Sequence, residues 1–142
     1  MDMALEAAET AAVGGEVPVG CVIVRNGAVI GHAANRTMTD RDATAHAEML
    51  ALRQASHAVG SERLVDCDLY VTLEPCTMCA GAISLARIRR LYYGAPDPKG
   101  GAIDSGVRFF ASPACHHVPE IYSGLGETRA AALLRNFFRG RR

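Results

Sequence analysis

The sequence predicts an α/β fold in which helices cover a mixed sheet. Apolar residues at helical spacing alternate along the chain with short runs of apolar and β-branched residues. Asn26-Gly27 separates two of these runs and is a strong turn signal for an antiparallel hairpin. Further along, a helix separates one strand from the next, which is typical of parallel pairing. Because 142 residues suit one compact domain, we expect residues 1–142 to form a single domain with one functional site.

The first half of the chain is predicted to contain a helix, the hairpin and a second helix. Apolar residues at helical spacing over 3–13 end at a glycine pair, and the hairpin strands are expected over 17–24 and 28–30. The second helix is expected over about 45–59, which would place His46 in its first turn. Its candidate caps are Asp40, Asp42 and Thr44.

The second half is predicted to add three strands and two helices. An apolar strand over 69–73 leads through a tight turn into a helix over 76–86, which is rich in alanine and other small residues. Further strands are expected over 91–93 and 121–122, and a last amphipathic helix over 128–139. This alternation is the pattern of helices packed on a sheet.

Two short motifs open the second and third helices. His46-Ala47-Glu48 stands in the first motif, and Pro75-Cys76-Thr77-Met78-Cys79 follows some thirty positions later. Pro75 suits a first helical turn, and cysteines at positions i and i+3 lie on the same side of a helix. The positive end of the helix dipole also favours thiolates, the form that binds metal. One imidazole and two thiolates suit Zn²⁺, so His46, Cys76 and Cys79 are predicted to bind one zinc ion per chain.

The number of ligands indicates a catalytic metal site. Three protein ligands leave a fourth position for water, whose pKa falls toward ~7 on zinc. Glu48 lies two residues from His46, so its carboxylate can reach that water and act as general acid and base without binding the metal. H-x-E followed by P-C-x-x-C is the known signature of zinc nucleobase deaminases. A CxxC alone is also common in redox and structural metal sites, but its combination with HAE indicates a deaminase.

The chain resembles the bacterial tRNA adenosine deaminase (TadA) family over nearly its whole length. The motifs that carry the resemblance are EVPVG at 16–20, Asn35, TAHAE at 44–48, LYVTLEPCTMCAGAI at 69–83, and Gly94 with Asp97 and Lys99. The HAE and PCxxC motifs are shared across the cytidine deaminase superfamily, whereas the flanking motifs are more specific to the TadA family. The resemblance implies a three-layer α/β/α cytidine deaminase-like fold around a mixed five-stranded sheet.

The resemblance also implies an activity and a set of substrate contacts. The activity is hydrolytic deamination of adenosine to inosine at the wobble position of a tRNA anticodon, carried out by a homodimer. Asn35 is expected to hydrogen-bond the target nucleoside, and the backbone of Ala47 to approach its base. Asp97 and Lys99 are expected near the RNA of the anticodon loop. Without the resemblance, Asn35 suits a turn and the other two suit a surface loop.

Three alternatives stay open from the sequence. Residues 115–118, Cys-His-His-Val, replace an Asn-His-Arg group of many family members, so the substrate is alternatively a free base or small nucleoside of the guanine or cytosine/cytidine type. A non-catalytic zinc-binding subunit is a second alternative, against which Glu48 argues. Cys115, His116 and His117 could form a second metal site, although adjacent residues rarely converge on one ion.

Charge and hydropathy bear on partners and location. Lys and Arg number 15, as do Asp and Glu, so no overall field attracts nucleic acid or anionic lipid. Positive charge nevertheless gathers near the C-terminus at Arg129, Arg135, Arg139, Arg141 and Arg142. These arginines are expected either to contact RNA phosphate or to form a solvated helix face. The sequence shows neither a signal peptide nor an uncharged run of ~20 residues, so we expect a cytoplasmic protein without a membrane partner.

Overall fold

A mixed five-stranded sheet organises the chain. The computed structural model describes residues 1–141, so Arg142 lies outside the described residues. The elements in chain order are α1 (Asp2–Val13), β1 (Gly20–Arg25), β2 (Ala28–Ala34), α2 (Ala47–Val59), β3 (Cys67–Leu73), α3 (Thr77–Leu85), β4 (Arg90–Ala95), β5 (Glu120–Ser123) and α4 (Glu127–Arg139). Every helix and strand predicted from periodicity is present, with changes at the ends.

The strand order is β2-β1-β3-β4-β5. β1 pairs antiparallel with β2 and with β3, whereas β3, β4 and β5 run parallel to one another. α2 and α3 pack on one face of the sheet, and α1 and α4 pack on the other. The predicted mixed sheet and the three-layer α/β/α fold are therefore confirmed.

These strand directions bring four chain segments to one edge of the sheet. The carboxyl ends of β3 and β4 meet there because the two strands are parallel, with Leu73 paired to Ala95. β1 runs against β3, so its first residue, Gly20, lies at the same edge, and its partner Ala34 ends β2 there. The segments before β1 and after β2, β3 and β4 therefore converge, which is the usual place for a site in an α/β sheet.

The main core lies between the sheet and the layer formed by α2 and α3. Ile23, Leu69, Leu91 and Ile83 are fully buried in it. Small residues let the helices approach closely. A Cβ at Gly31 would lie 2.5 Å from the carbonyl oxygen of Ala51 in α2, which is closer than real contacts allow. The glycine is therefore needed where α2 crosses β2.

Two predicted strand boundaries were wrong at the hairpin. β1 begins at Gly20 and not at residue 17, because Pro18 has no N–H to donate to a ladder. β2 runs on to Ala34, beyond the predicted end at residue 30, because the ladder with β1 continues through Gly31 and His32. The longer strand brings Asn35 to the sheet edge.

The C-terminal arginines for which contacts are seen lie against the protein. Arg129 of α4 pairs with Glu9 of α1, with Nη2 2.6 Å from Oε1. The guanidinium of Arg141 lies 4.3 Å from the ring centroid of Phe137. The C-terminal arginines were expected either to contact RNA phosphate or to form a solvated helix face. The contacts of Arg129 and Arg141 agree with the second of these expectations. Within residues 1–141, none of the helices is both long and apolar enough to cross a membrane.

Glu74 ties the loop after β4 to the end of β3. Glu74 is only 2% exposed. Oε1 accepts from the backbone N–H of Asp97 and the hydroxyl of Ser105, and Oε2 accepts from the N–H groups of residues 103–105, each at 3.0 Å. Burial raises the pKa of Glu74, but these hydrogen bonds outweigh it and hold the pKa below the ordinary 4.5. The loop is therefore fixed by an ionised carboxylate.

Glu74→Gln is expected to destabilise the fold by about 2 kcal/mol at pH 7, because an amide cannot accept all five hydrogen bonds. The folded-state pKa is below the unfolded-state pKa, so the contribution of the carboxylate is complete above pH 4.5 and is lost as the pH falls through the folded-state value. Urea unfolding of both proteins from pH 7 downward measures this difference. Exposed Glu62→Gln is the matched control. A difference that stayed constant below pH 4.5 would contradict the assignment.

Candidate metal and catalytic centre

The first half of the centre is the start of α2. His46 was expected in the first turn, but it is the N-cap residue, with extended backbone angles of φ −72° and ψ 152°. The helix has no side-chain cap hydrogen bond, so the three candidate caps, Asp40, Asp42 and Thr44, were wrong. Oδ1 of Asp42 instead accepts from the N–H and the hydroxyl of Thr44 at 2.8 and 2.7 Å, so it closes the turn before the helix. His46 therefore extends from the helix end toward the sheet edge.

The second half is the start of α3. Cys76 is the N-cap residue, with φ −73° and ψ 176°, and the helix begins at Thr77. Pro75 therefore precedes the cap and does not lie in the first turn as predicted, and Cys76 lies before the helix that was expected to include it. Cys79 follows one turn later, and the N–H of Ala80 donates to the Cys76 carbonyl at 2.8 Å. Both sulfurs still face the same side, as the spacing predicted.

The two halves meet at the ligand atoms. Nδ1 of His46 lies 3.6 Å from Sγ of Cys76 and 3.6 Å from Sγ of Cys79. A tetrahedral ion with bonds of about 2.05 Å to nitrogen and 2.3 Å to sulfur separates such atoms by about 3.6 Å. Within residues 1–141 this is the one group of three or more His, Cys, Asp or Glu side chains able to hold a metal ion. The second site considered at Cys115, His116 and His117 is not formed.

The two thiols have different proton affinities. A hydrogen bond with Cys79 lowers the pKa of Cys76 to about 4, against the effect of burial and with help from His46. The same contact, together with burial, raises the pKa of Cys79. Cys76 is therefore a thiolate at neutral pH, and Cys79 releases its proton only when a cation compensates the charge.

Glu48 lies in the first turn of α2 and is only 4% exposed. Burial raises the pKa of its carboxyl group, although a hydrogen bond with Cys79 and the charge of His46 act in the opposite direction. The raised pKa strengthens this carboxylate as a proton acceptor. This property is what a proton shuttle requires.

A cavity of about 320 Å³ opens onto these groups. It is lined by Val17, Val19, Asn35, Thr37, His46, Ala47, Glu48, Leu73, Glu74, Cys76, Asp97 and Gly100. This volume falls at the lower end of the range of small-molecule sites, about 300–1,000 Å³. Of the four expected substrate contacts, Asn35, Ala47 and Asp97 line the cavity. Lys99 does not; it is exposed, and its N–H donates to Oδ1 of Asp97 at 3.2 Å.

Two buried carboxylates near this cavity were missed from the sequence. Glu74 stands inside the motif that carries the cysteines, and Glu16 begins the EVPVG motif, but neither carboxylate was given a role. The available signal was a single acid next to apolar residues, as in EVPV and TLEP. Such an acid is buried only when it is well hydrogen-bonded, which points to a role in holding backbone.

Residues 115–118, which depart from the family pattern, lie away from the cavity of their own chain. The hydroxyl of Ser84, near the C-terminal end of α3, donates to the carbonyl of His117 at 2.8 Å. Sγ of Cys115 donates to the same carbonyl at 3.1 Å. Cys76 and Cys79, the candidate metal ligands, lie at the other end of α3. Residues 115–118 are therefore not among the residues that line the cavity of this chain.

Comparison with known proteins agrees with this geometry. A family model described as the cytidine and deoxycytidylate deaminase zinc-binding region matches residues 1–95. The fold and the match to this family model together identify the chain as a deaminase of this zinc-binding class. A tRNA-specific adenosine deaminase of Agrobacterium fabrum is 60% identical over 142 residues, covering 100% of this chain and 93% of the relative. The chain belongs to the tRNA-specific adenosine deaminase family.

Two solved structures extend the comparison. One comes from biochemical and structural studies of A-to-I editing by tRNA:A34 deaminases; it matches with a TM-score of 0.93 and 60% identity, over 94% of this chain and 97% of that chain. A guanine deaminase of Bacillus subtilis matches with a TM-score of 0.66 and 32% identity, over 99% of this chain and 90% of that chain. The same fold therefore occurs in a protein named for a different base.

Cys79→Ser is expected to remove bound metal and to lower the unfolding temperature, because serine is a poor ligand for Zn²⁺ and folding is coupled to metal binding. Metal content is measured by mass spectrometry of the purified variant, and unfolding by circular dichroism. Cys115→Ser is the matched control, since this half-buried cysteine lies outside the group of ligand atoms. Full metal occupancy in Cys79→Ser would rule out the ligand assignment.

Proposed function

We propose that the chain converts adenosine to inosine at the wobble position of a tRNA anticodon. The observation that carries the proposal is the placement of Glu48, buried beside the His46, Cys76 and Cys79 ligand atoms at the cavity. Identity of 60% over the full chain to a tRNA-specific adenosine deaminase supports this substrate. We also propose that residues 1–142 form one deaminase domain with one site.

The proposed cofactor is one zinc ion per chain. His46 would hold it through Nδ1, and Cys76 and Cys79 through their sulfurs, because the 3.6 Å separations suit zinc ligands. When bound, zinc supplies a Lewis acid that lowers the pKa of a coordinated water toward neutrality. The thiolate state of Cys76 favours metal capture at neutral pH.

Glu48 is the proposed proton carrier. Its carboxylate accepts a proton from the water whose oxygen bonds to C6 of adenine, and it delivers that proton to the adjacent ring nitrogen. It then carries the second proton of the water to the departing amino group, which leaves as ammonia. The balance is one water consumed and one ammonia released for each inosine formed. Burial of Glu48 keeps bulk water from competing for these protons.

The cavity accommodates a base that has left its stack. Enzymes that act on a nucleobase extrude it into a pocket, which is easier in an anticodon loop than in a duplex. We propose that Asn35 hydrogen-bonds the nucleoside and that the N–H of Ala47, which has no intrahelical partner in the first turn, faces the base. Asp97 and Lys99 would meet the RNA at the cavity mouth.

Binding of tRNA is proposed to rest on local contacts. With a formal net charge of zero, the chain offers no long-range attraction to RNA. Affinity would come from contacts around the anticodon loop and would weaken with salt only in proportion to the phosphates contacted. A tRNA substrate also places the enzyme in the cytoplasm.

A homodimer is the proposed assembly. An apolar groove of about 780 Å³ runs between α2 and α3 and is lined in part by Met49, Leu52, Leu85 and Ala86. Leu85 is 69% exposed in the single chain. Apolar surface of this kind is typical of a protein interface. A second copy of the chain is the occupant that the family resemblance implies.

Glu48→Gln is expected to lower inosine formation at least about 100-fold while zinc content stays at wild-type level, because the amide cannot carry protons. The assay uses a tRNA whose anticodon starts with adenosine and measures both inosine and released ammonia. The same tRNA with guanosine at that position is the control substrate. Free adenosine, guanine and cytosine are tested beside it. Wild-type turnover confined to a free base would exclude the tRNA proposal, and normal turnover by Glu48→Gln would exclude the shuttle.

Leu85→Glu is expected to convert the dimer to a monomer, since a charge in an apolar interface is not compensated. Light scattering after gel filtration measures the mass of the wild type and the variant. Exposed Val65→Glu, outside the groove, is the matched control and should leave the mass unchanged. A wild-type mass of one chain at micromolar concentration would contradict the homodimer.

A further inference from the structure

Glu16 is a buried carboxylate to which the mechanism above gives no role. It lies in the turn between α1 and β1 and is 4% exposed. Its backbone N–H donates to the carbonyl of Ala11 at 3.0 Å, which holds the residue at the end of α1. The side chain points away from α1 toward the segment that follows β2. A buried acid is stable in its ionised form only when hydrogen-bond donors compensate its charge.

The donors to Glu16 all come from the segment after β2. Oε1 accepts from Nδ2 of Asn35 at 3.4 Å and from the N–H of Met38 at 3.3 Å. Oε2 accepts from both the N–H and the hydroxyl of Thr39 at 2.7 Å. One carboxylate therefore connects the asparagine at the cavity to the loop that leads toward His46.

The carboxylate determines which way the Asn35 amide points. An ionised carboxylate has no hydrogen to donate, so only the amino end of the amide can face it. Nδ2 also lies 3.5 Å from the hydroxyl oxygen of Thr37, on the same side. Burial raises the pKa of Glu16, but the Thr39 and Met38 hydrogen bonds and the charge of Arg36 outweigh it, so the net pKa is lowered. The acceptor is thus present at neutral pH.

Asn35 is held at its backbone as well. Its N–H donates to the carbonyl of Val19 at 3.0 Å, and Val19 itself lines the cavity. The backbone contact sets where Asn35 sits, and Glu16 sets the rotation of its amide about the last side-chain bond. Because an amide that can rotate must be ordered on binding, a fixed amide binds its substrate group more tightly.

We propose that Glu16 is a positioning residue for the substrate: it fixes the orientation of the Asn35 amide at the cavity and anchors residues 37–39 beside it. The proposal rests on the proposed function through the role given to Asn35. Glu16 would act through Asn35 on substrate binding and would leave the metal ligands and Glu48 unchanged. Its removal is therefore expected to affect KM and to spare kcat.

Glu16→Gln is the principal test. The variant is expected to raise KM for the tRNA about tenfold, to keep kcat within about twofold, and to retain zinc. In an Asn35→Ala background the same change should add less than about twofold, because its route of action is already lost. Glu9→Gln is the matched control, since the Glu9 carboxylate contacts Arg129 and not Asn35. A KM increase of equal size with and without the Asn35 side chain would overturn the proposal.

A second readout does not depend on any substrate. The side-chain NH2 pair of Asn35 is identified in a nitrogen–proton correlation spectrum as the pair absent from Asn35→Asp. Glu16→Gln should shift this pair, and Glu9→Gln should leave it in place. An unshifted pair would overturn the proposal even if the wild type edits tRNA. Conversely, the wild type could be inactive on tRNA while Glu16→Gln still shifts the Asn35 pair. In that case the proposed function fails and the positioning role stands.

A conservative variant covers loss of folding. Glu16→Asp keeps the charge but shortens the side chain by one methylene. The carboxylate then stays buried but loses its contact with Asn35. If Glu16→Gln does not fold, Glu16→Asp is expected to give the same KM increase at near-constant kcat. A lower unfolding temperature with unchanged KM in the folded variant would show a merely structural role and overturn the proposal.

Discussion

The convergence of two helix N-termini at one sheet edge is the constraint on which the rest of the structure depends. It places Nδ1 of His46 3.6 Å from both cysteine sulfurs, although the histidine and the first cysteine are separated by thirty positions. Each ligand-bearing helix begins at its ligand, because His46 and Cys76 are N-cap residues in extended conformation. The distance between the caps is set by packing, since small residues let α2 lie directly against β2 and pack beside α3. A change in that packing would move the ligands apart.

The irregular segments around the cavity are fixed by two buried carboxylates. Glu74 accepts backbone hydrogen bonds from the loop after β4, and Glu16 does the same for the segment after β2. Each carboxylate replaces the hydrogen-bond ladder that a strand would have provided. The two segments carry Asp97, which is expected near the RNA, and Asn35, which is expected to hydrogen-bond the nucleoside. Loops that would otherwise be mobile thus become part of a pre-formed site.

The sequence predicts best what is local and periodic. α1, β3 and α4 follow from repeating apolar residues, the hairpin follows from Asn26-Gly27, and the ligand group follows from the spacing of His46, Cys76 and Cys79. What could not be predicted depends on contacts distant in sequence. Glu16 accepts a hydrogen bond from Thr39, 23 positions away, and no local sequence pattern indicates this contact. The position of residues 115–118 at the far end of α3 likewise requires the folded chain, because the loop from β4 has no periodicity.

The substrate of this enzyme must be set by the loops and not by the metal centre. A fold shared with a guanine deaminase of Bacillus subtilis shows that the architecture accommodates more than one base. The proposed metal ligands and Glu48 would act on the carbon that loses its amino group, and this chemistry is common to several bases. Discrimination between bases would therefore fall to groups that contact the rest of the nucleoside, the role proposed for Asn35. A hydrogen-bonding group discriminates strongly only when its orientation is fixed, because a rotating amide can offer either a donor or an acceptor. Under this proposal, the carboxylate that orients Asn35 contributes to substrate choice without touching the substrate.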